Sequence, residues 1–448
     1  MKPLGGERDN RRRECDDRRT MDIQAFGRTD VGCKRSQNED AILCGAGFGL
    51  YAVCDGMGGH AAGDVASTLA VETIRERMGE HSATIADFDG SQEQVDTLTR
   101  ALRGAVEAAS STVYALATSD RGSHGMGTTC TVLLCLPSTC GSMAIMAHVG
   151  DSRLYMQRDG RMYQLSEDHT FRNDAIRHGM MGAEDAAKSP FADRVTRAVG
   201  IQAAVRVDTL AVDFVPGDVF LLCSDGLYNY FGNLEELRGR LSQAIGVAKI
   251  VEALVDSAND RGGRDNISAL VVRGEDTADT VAQTRKNAVC NDISTLRHIT
   301  LFMDMSMGEL VRVFNAFDSI SFSAGDEVIR EGEFSDGLFV VVDGELVVTR
   351  REQAVTMVGA GEHFGEMALL NSRPRSATVT AKIDCRLLVL HRRAFSSLLQ
   401  TDPALASKFL YKLAQVLSLR LDENNLVLDR ADARRTQEMA ILSPFRRR

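Results

Sequence analysis

The chain has 448 residues, 44% of them hydrophobic and 25% charged, and carries a formal net charge of −10. Such a composition describes a soluble globular protein of two or three domains and excludes disordered or collagen-like chains. The acidic balance argues against a nucleic-acid surface, and no apolar run approaches the ~18 residues that a spanning helix needs.

In chain order, residues 1–20 are dense in Lys, Arg, Asp and Glu with hardly an apolar side chain, so they read as a disordered segment. They contain no apolar stretch for a signal peptide; Met21 is an alternative start, and a cytoplasmic protein is expected. From 21 to 274 strand-like and helical patterns alternate. Strands are predicted at 49–54, 128–136, 143–149, 153–157, 219–223 and 267–272. Helical faces are predicted at Val65, Leu69, Thr73 and Ile74, at Leu98, Leu102, Val106 and Val113, and at Leu237, Leu241, Ile245 and Ile250. Strands that come in blocks, with helices between the blocks, suggest sheets covered by helices more than a regular parallel sheet.

Residues 275–291 are polar and lack glycine, which predicts a helical linker. From 292 to 429, short strand patterns punctuated by Gly325, Gly332, Gly337, Gly344, Gly359, Gly361 and Gly365 predict a barrel or roll, closed by a helix through Leu405, Phe409, Leu413 and Leu417. Residues 430–448 form a polar basic tail. The ten cysteines include no CxxC pair, and several occupy apolar strand positions, as expected for small buried side chains in a reducing compartment.

Chemistry is carried by acids at strand ends. Asp55 closes the apolar run Tyr51-Ala-Val-Cys and is followed by Gly56-Met-Gly-Gly-His60, which leaves carboxylate and backbone open to a ligand. By itself Asp-Gly is also an ordinary turn dipeptide. Asp40, Asp151, Asp225 and Asp265 recur in the same kind of place, beside a turn at one end of a strand. Carboxylates gathered at a sheet edge repel one another unless a cation lies between them, and an oxygen-only set favours Mg²⁺ or Mn²⁺ over zinc.

Arg35-Ser-Gln-Asn-Glu-Asp40, Asp55-Gly-Met-Gly-Gly, Gly127-Thr-Thr, Val149-Gly-Asp-Ser-Arg153, Ser166-Glu-Asp-His, Ser224-Asp-Gly226 and Asp265-Asn266 occur in one order over residues 21–274. That stretch resembles the metal-dependent protein phosphatases of type 2C, the PPM family. The resemblance implies an α-β-β-α sandwich of two antiparallel sheets flanked by helices, with the site in a cleft at one edge. It implies that Asp55 bridges two Mg²⁺ or Mn²⁺ ions, that the Gly56 carbonyl joins one, and that Asp225 and Asp265 hold the other. Asp40 and Glu39 act through waters, and Asp151 is offered for a third ion. It further implies hydrolysis of phosphoserine or phosphothreonine in a phosphoprotein, the target of a Ser/Thr kinase, by a metal-activated water, with Arg35 clamping the phosphoryl oxygens. Met57 stands where many eukaryotic relatives have a histidine. His60 or a metal-bound water is then the candidate acid for the leaving group, and residues 170–195 match the family's variable flap.

In the second half, Phe364-Gly-Glu-Met-Ala-Leu-Leu-Asn-Ser-Arg-Pro-Arg-Ser-Ala-Thr378 sets glycine, acid and a short helical turn ahead of an arginine, a pattern that can cradle an anion. It resembles the phosphate-binding cassette of cyclic nucleotide-binding domains, over 292–429. The resemblance implies a β-roll with flanking helices, in which Glu366 takes the ribose 2′-hydroxyl and Arg375 the cyclic phosphate. Gly365 and Ala368 supply backbone contacts, and Ser376 favours cAMP over cGMP. The stretch after Asp429 is too short for a helix-turn-helix. The whole reads as an α+β, cyclic-nucleotide-regulated, metal-dependent phosphatase, with no nucleic-acid or membrane partner. The alternative is a non-catalytic nucleotide receptor or scaffold with a degenerate phosphatase half.

Overall fold

A computed structural model of the chain describes residues 21–422 except 46, 59–61, 120, 140, 244, 276–279, 372 and 420. These fall into two compact units, one up to Cys290 and one from Asn291.

The first unit is built on two antiparallel sheets. One orders its strands Ile23–Asp30, Ile267–Gly274, Val219–Cys223, Arg153–Arg158 and Arg161–Gln164. The other runs Asp40–Cys44, Leu50–Met57, Cys130–Leu136, Met143–Val149 and Asp208–Asp213, with Gly127–Thr128 paired to the end of Leu50–Met57. Side chains alternate across each strand, so one set can face helices and the other the opposite sheet. Leu50, Ala52 and Cys54 pack with Ile74, Leu98, Leu102 and Val106 of the helices Gly63–Gly79 and Gln92–Ser119. Leu221, Cys223, Ala269 and Val271 pack with Ile250, Val251 and Leu254 of the helix Val247–Asp260. Phe220, Leu222, Leu270 and Val272 are equally buried but belong to neither helix-facing cluster, and fill the space between the sheets.

Two predicted helical faces are corrected. In the helix Gly63–Gly79 the buried face is Ala66, Ala70, Ile74 and Met78, whereas Val65 is exposed. Small alanines let this helix approach the sheet closely, which outweighs the larger apolar residues one position away. The third face is two helices, Leu234–Leu241 and Val247–Asp260, because Gly246 takes an extended conformation (ψ 147°) at the start of the second. Ile245 is left between them, half-exposed at the surface. The predicted strand 128–136 is interrupted at Thr129, which has another task.

In the second unit two four-stranded sheets form the β-roll. One orders Asp318–Phe322, Cys385–His391, Gly337–Asp343 and His363–Phe364; the other orders Glu327–Ile329, Thr378–Ala381, Glu345–Arg350 and Gln353–Gly359. Phe339, Val341, Leu346, Val379, Leu387 and Val389 fill it. The helix Met307–Phe314 precedes the roll and starts with a reciprocal Ser306–Glu309 capping box, which satisfies two otherwise orphaned N–H groups. A helix bearing buried Leu405, Phe409 and Leu413 follows it. No helix among the described residues is long and apolar enough to cross a membrane.

Candidate active site

The acids meet where the two sheets end. Asp40 and Asp55 lie directly opposite each other on paired strands. Gly56 follows with no room for a side chain: a Cβ there would lie 2.1 Å from the Gly63 carbonyl oxygen and 2.5 Å from that of Glu39. Asp55 is held through its backbone, its N–H donating to Thr129 Oγ1 (2.9 Å) and its carbonyl accepting from Thr129 N (2.8 Å) and Thr128 Oγ1 (2.9 Å). That grip explains the break in the strand at Thr129 and leaves the Asp55 carboxylate free of a structural duty.

The electrostatics are those of an uncompensated anionic cluster. Burial, then Asp40, Asp225, Asp151 and Asp265, drive the Asp55 carboxyl far above the usual carboxylate range. Asp40 is pushed up to about 7 by burial, against hydrogen bonds from Ser268 and Ser224 and with the help of Asp225 and Asp265. Its Oδ2 accepts from Ser224 Oγ (2.8 Å) and Ser268 Oγ (2.7 Å), whereas its Oδ1 is buried with no partner. Asp151 is pushed up to about 7 by burial and then by Asp225 and Asp168. Asp225 is raised by burial and then by Asp265.

Asp265 pairs with Arg35, Nη2 to Oδ2 at 2.8 Å, with side-chain exposures of 38% and 49%. A pair this exposed is worth about 1 kcal/mol or less, so an arriving phosphoryl group can recruit Arg35 at little cost. Asn266 ties this edge together: its Oδ1 accepts from Glu39 N (2.9 Å), and its Nδ2 donates to Val31 O (3.0 Å) and Gln37 O (2.8 Å). His60 lies outside the described residues. Met57 ends its strand half-buried.

No three His, Cys, Asp or Glu side chains among the described residues close on one point as a finished cage. Magnesium and manganese do not require one, since they take one or two carboxylates and complete their shells with carbonyls and water. The orphaned Asp40 Oδ1, the crowded Gly56 backbone and an all-oxygen donor set therefore fit such ions. Sequence reasoning missed Thr129, Ser224, Ser268 and Asn266 as supports, although the first two sit inside the motifs Gly-Thr-Thr and Ser-Asp-Gly.

His148, behind the site, is fully buried between Thr131 Oγ1 (2.9 Å) and the Glu167 carbonyl (3.1 Å). Burial and then His169 push it down to about 3. An unfolded histidine titrates near 6.5, so its stabilising contribution is complete above that pH and is lost as pH falls toward the folded value, at about 1.4 kcal/mol per pH unit. Between pH 7.5 and 5 the first unit is expected to lose about 2 kcal/mol more in the wild type than in His148→Gln, read from urea midpoints; equal losses would assign the pH dependence elsewhere.

In the second unit Arg375 is buried, with Nη1 donating to Gly365 O (3.2 Å) and Nη2 to Gly337 O (2.8 Å) and Ser335 Oγ (2.8 Å). Its Nε is buried without a partner, and burial lowers its pKa, against the attraction of Asp336 and Glu366. The guanidinium lies 5.6 Å from the Phe339 ring, which stacks on Phe364. Gly365 needs its glycine, with φ +82° and a Cβ position 2.7 Å from Arg375 Nη1. Glu366 is buried, Ala368 N–H donates to Gly365 O (3.0 Å), and Ser376 is exposed beside Arg375. A buried, under-paired cation at a glycine turn has the chemistry to take an anion. Ser335 and Phe339 lie too far upstream in sequence for a motif reading to find them.

Two antiparallel sheets with an oxygen-only, desolvated carboxylate cluster and an arginine at their edge define a metal-dependent phosphoric monoester hydrolase. The protein phosphatase 2C family model matches residues 34–271. The chain belongs to that family, and it is an Mg²⁺/Mn²⁺-dependent protein serine/threonine phosphatase. A cyclic nucleotide-binding domain matches residues 319–402. The chain is similar to serine/threonine phosphatase stp of Listeria welshimeri, 34% identical over 256 residues, covering 56% of this chain and 95% of that protein. It is also similar to protein phosphatase PhpP of Streptococcus pneumoniae, 33% identical over 255 residues, covering 56% and 98%. Among solved structures, the catalytic domain of the phosphatase PstP in complex with 2 manganese ions is 30% identical, covering 58% of this chain and 100% of that one, with a TM-score of 0.47.

Proposed function

We propose that this phosphatase is governed by a cyclic nucleotide bound to its C-terminal roll, cAMP in preference to cGMP, and that it acts in the cytoplasm on phosphoserine and phosphothreonine of a kinase's protein targets. In this reading Asp55, the Gly56 carbonyl, Asp225 and Asp265 hold two Mn²⁺ or Mg²⁺ ions, with Asp40 in support and Asp151 serving a third. Bound there, such ions acidify a water and neutralise charge on the phosphoryl group. The chain's own residues do the remaining work. Arg35 leaves Asp265 to grip phosphoryl oxygens with two parallel N–H groups. Ser224 and Ser268 keep Asp40 turned toward the cluster, and the Thr129 grip fixes Asp55 before substrate arrives. His60 is the protein group proposed to protonate the departing serine or threonine oxygen.

The observation that carries the regulatory half is Arg375, whose buried Nε awaits an acceptor that a cyclic phosphate supplies. In this reading Glu366 takes the ribose 2′-hydroxyl, Gly365 and Ala368 contribute backbone contacts, and Ser376 favours cAMP over cGMP. The linker helix Thr280–His298 supports coupling because it is anchored within each unit. Arg285 pairs with Asp213 in the first, and Asp292 takes both Nη1 (2.9 Å) and Nη2 (2.5 Å) of Arg386 in the second. A coupling of about 1 to 3 kcal/mol along it changes turnover by several-fold to about a hundredfold.

The catalytic half is tested by phosphate release from a phosphothreonine peptide. Turnover is expected with Mn²⁺, and its loss with EDTA and in Asp225→Asn; unchanged hydrolysis by the variant would overturn the ligand assignment.

A further inference from the structure

The turn Gly150-Asp151-Ser152-Arg153 joins the strands Met143–Val149 and Arg153–Arg158. Its members other than Asp151 are tied down from outside the turn. Ser152 Oγ bonds Thr129 Oγ1 (2.7 Å), and its carbonyl accepts from Thr131 Oγ1 (3.0 Å). Arg153 is gripped by Asp168 at Nε (3.0 Å) and Nη2 (2.6 Å) and lies 3.6 Å from the Tyr228 ring centroid. Gly150 is held twice by His169, whose N–H donates to the Gly150 carbonyl (2.7 Å) and whose Nδ1 accepts the Gly150 N–H (3.0 Å). The consecutive pair Asp168-His169 thus brackets Asp151 on both sides, while the Asp151 carboxylate has no side-chain hydrogen bond among the described residues.

His169 is itself oriented. Its Nδ1 accepts from Gly150, and its Nε2 lies 3.1 Å from Asp208 Oδ2 and 3.0 Å from Arg197 Nη1. Asp208 Oδ1 in turn accepts from Arg197 (3.1 Å). His169 is 1% exposed, so the direction of its ring is set by Gly150, Asp208 and Arg197 and not by solvent. Gly150 has φ +109°, and a Cβ there would lie 2.7 Å from the Thr129 Cβ, so the turn cannot relax by substitution.

We propose that His169 is a positioning residue for metal binding at Asp151: by clamping Gly150 it aims the Asp151 carboxylate at Asp55 and Asp225. The inference rests on the reading of Asp151 as a metal ligand. A histidine that merely filled the core would be replaced best by leucine. A clamp is replaced best by asparagine, whose Oδ1 can accept the same Gly150 N–H.

The experiment is Mn²⁺ titration of the full chain by calorimetry, which reads binding without turnover. Asp151→Asn is expected to remove or weaken the weakest class of Mn²⁺ sites. His169→Leu should weaken that class about 10- to 100-fold, as loss of a ligand's support does, and His169→Asn should recover most of it. In the Asp151→Asn/His169→Leu double variant the second change should add nothing. Asp208→Asn, which keeps volume and replaces the charged partner of Nε2 by a weaker neutral one, should weaken the class in the same direction by less, and it decides the matter if His169→Leu does not fold. An Asp151→Asn protein that binds Mn²⁺ as the wild type does refutes the ligand reading. An affected Asp151→Asn beside wild-type binding in His169→Leu or, if that fails to fold, in Asp208→Asn overturns the clamp, and so do additive losses in the double variant.

Discussion

Asp55→Asn is expected to lower phosphopeptide kcat/KM at saturating Mn²⁺ by at least about 10²- to 10³-fold, the scale of losing one preorganised electrostatic contact in a transition state. The same variant should be more stable than the wild type in EDTA. The two effects have one cause. Asp55 stands among four other carboxylates in a desolvated corner, where its charge is repelled in the absence of cations and indispensable in their presence. Asparagine keeps the shape and leaves the main-chain grip of Thr129 untouched, so the fold has no reason to suffer. Urea midpoints in EDTA and in Mn²⁺ would show the order of stability invert, since ions that bind only the folded state stabilise the wild type more. A variant with turnover within tenfold of wild type, or one less stable in EDTA, would contradict this account of the cluster.

Arg375→Ala carries the second large effect. Truncating one partner of a buried, hydrogen-bonded charge pair typically costs 2 to 5 kcal/mol, so the affinity for cyclic nucleotide should fall by about 30-fold to several thousand-fold. The apo roll should change far less. It loses hydrogen bonds to Gly337 O, Gly365 O and Ser335 Oγ, but it also sheds a desolvated cation whose Nε is unpaired. Arg375→Lys keeps the charge and loses the planar fork, so it should bind with intermediate affinity. Calorimetric titration with cAMP separates the three proteins; undiminished binding by Arg375→Ala would remove the anion site from this turn.

Much of this was legible in the chain, unevenly so. Acids beside turns at strand ends, spaced through two hundred residues in one order, marked Asp55, Asp225 and Asp265, because a strand end followed by glycine is a local signal. Asp40 was found as an acid but not as the buried one, since its carboxylate is held by Ser224, at a helix start, and Ser268, on a strand, which lie 184 and 228 residues away in sequence. Asn266 looked like an appendage of Asp265, and it holds the loop that presents Arg35. Periodicity misjudged the helix Gly63–Gly79, because hydrophobic bulk identifies a face only where neighbours leave room for it, and this helix packs through alanine. His169 resembled any core histidine in sequence. Its meaning lies in the pairing of both ring nitrogens, which no spacing encodes.

The claim on which the rest depends is that one chain reads a cyclic nucleotide in its roll and answers at its carboxylate cluster. The direct measurement is the rate of phosphothreonine-peptide hydrolysis with Mn²⁺, titrated with cAMP and, separately, with cGMP. The account predicts a saturable change of several-fold or more in turnover, reached at lower cAMP than cGMP and absent in Arg375→Ala. A rate that stays flat through saturating concentrations of both nucleotides would contradict it.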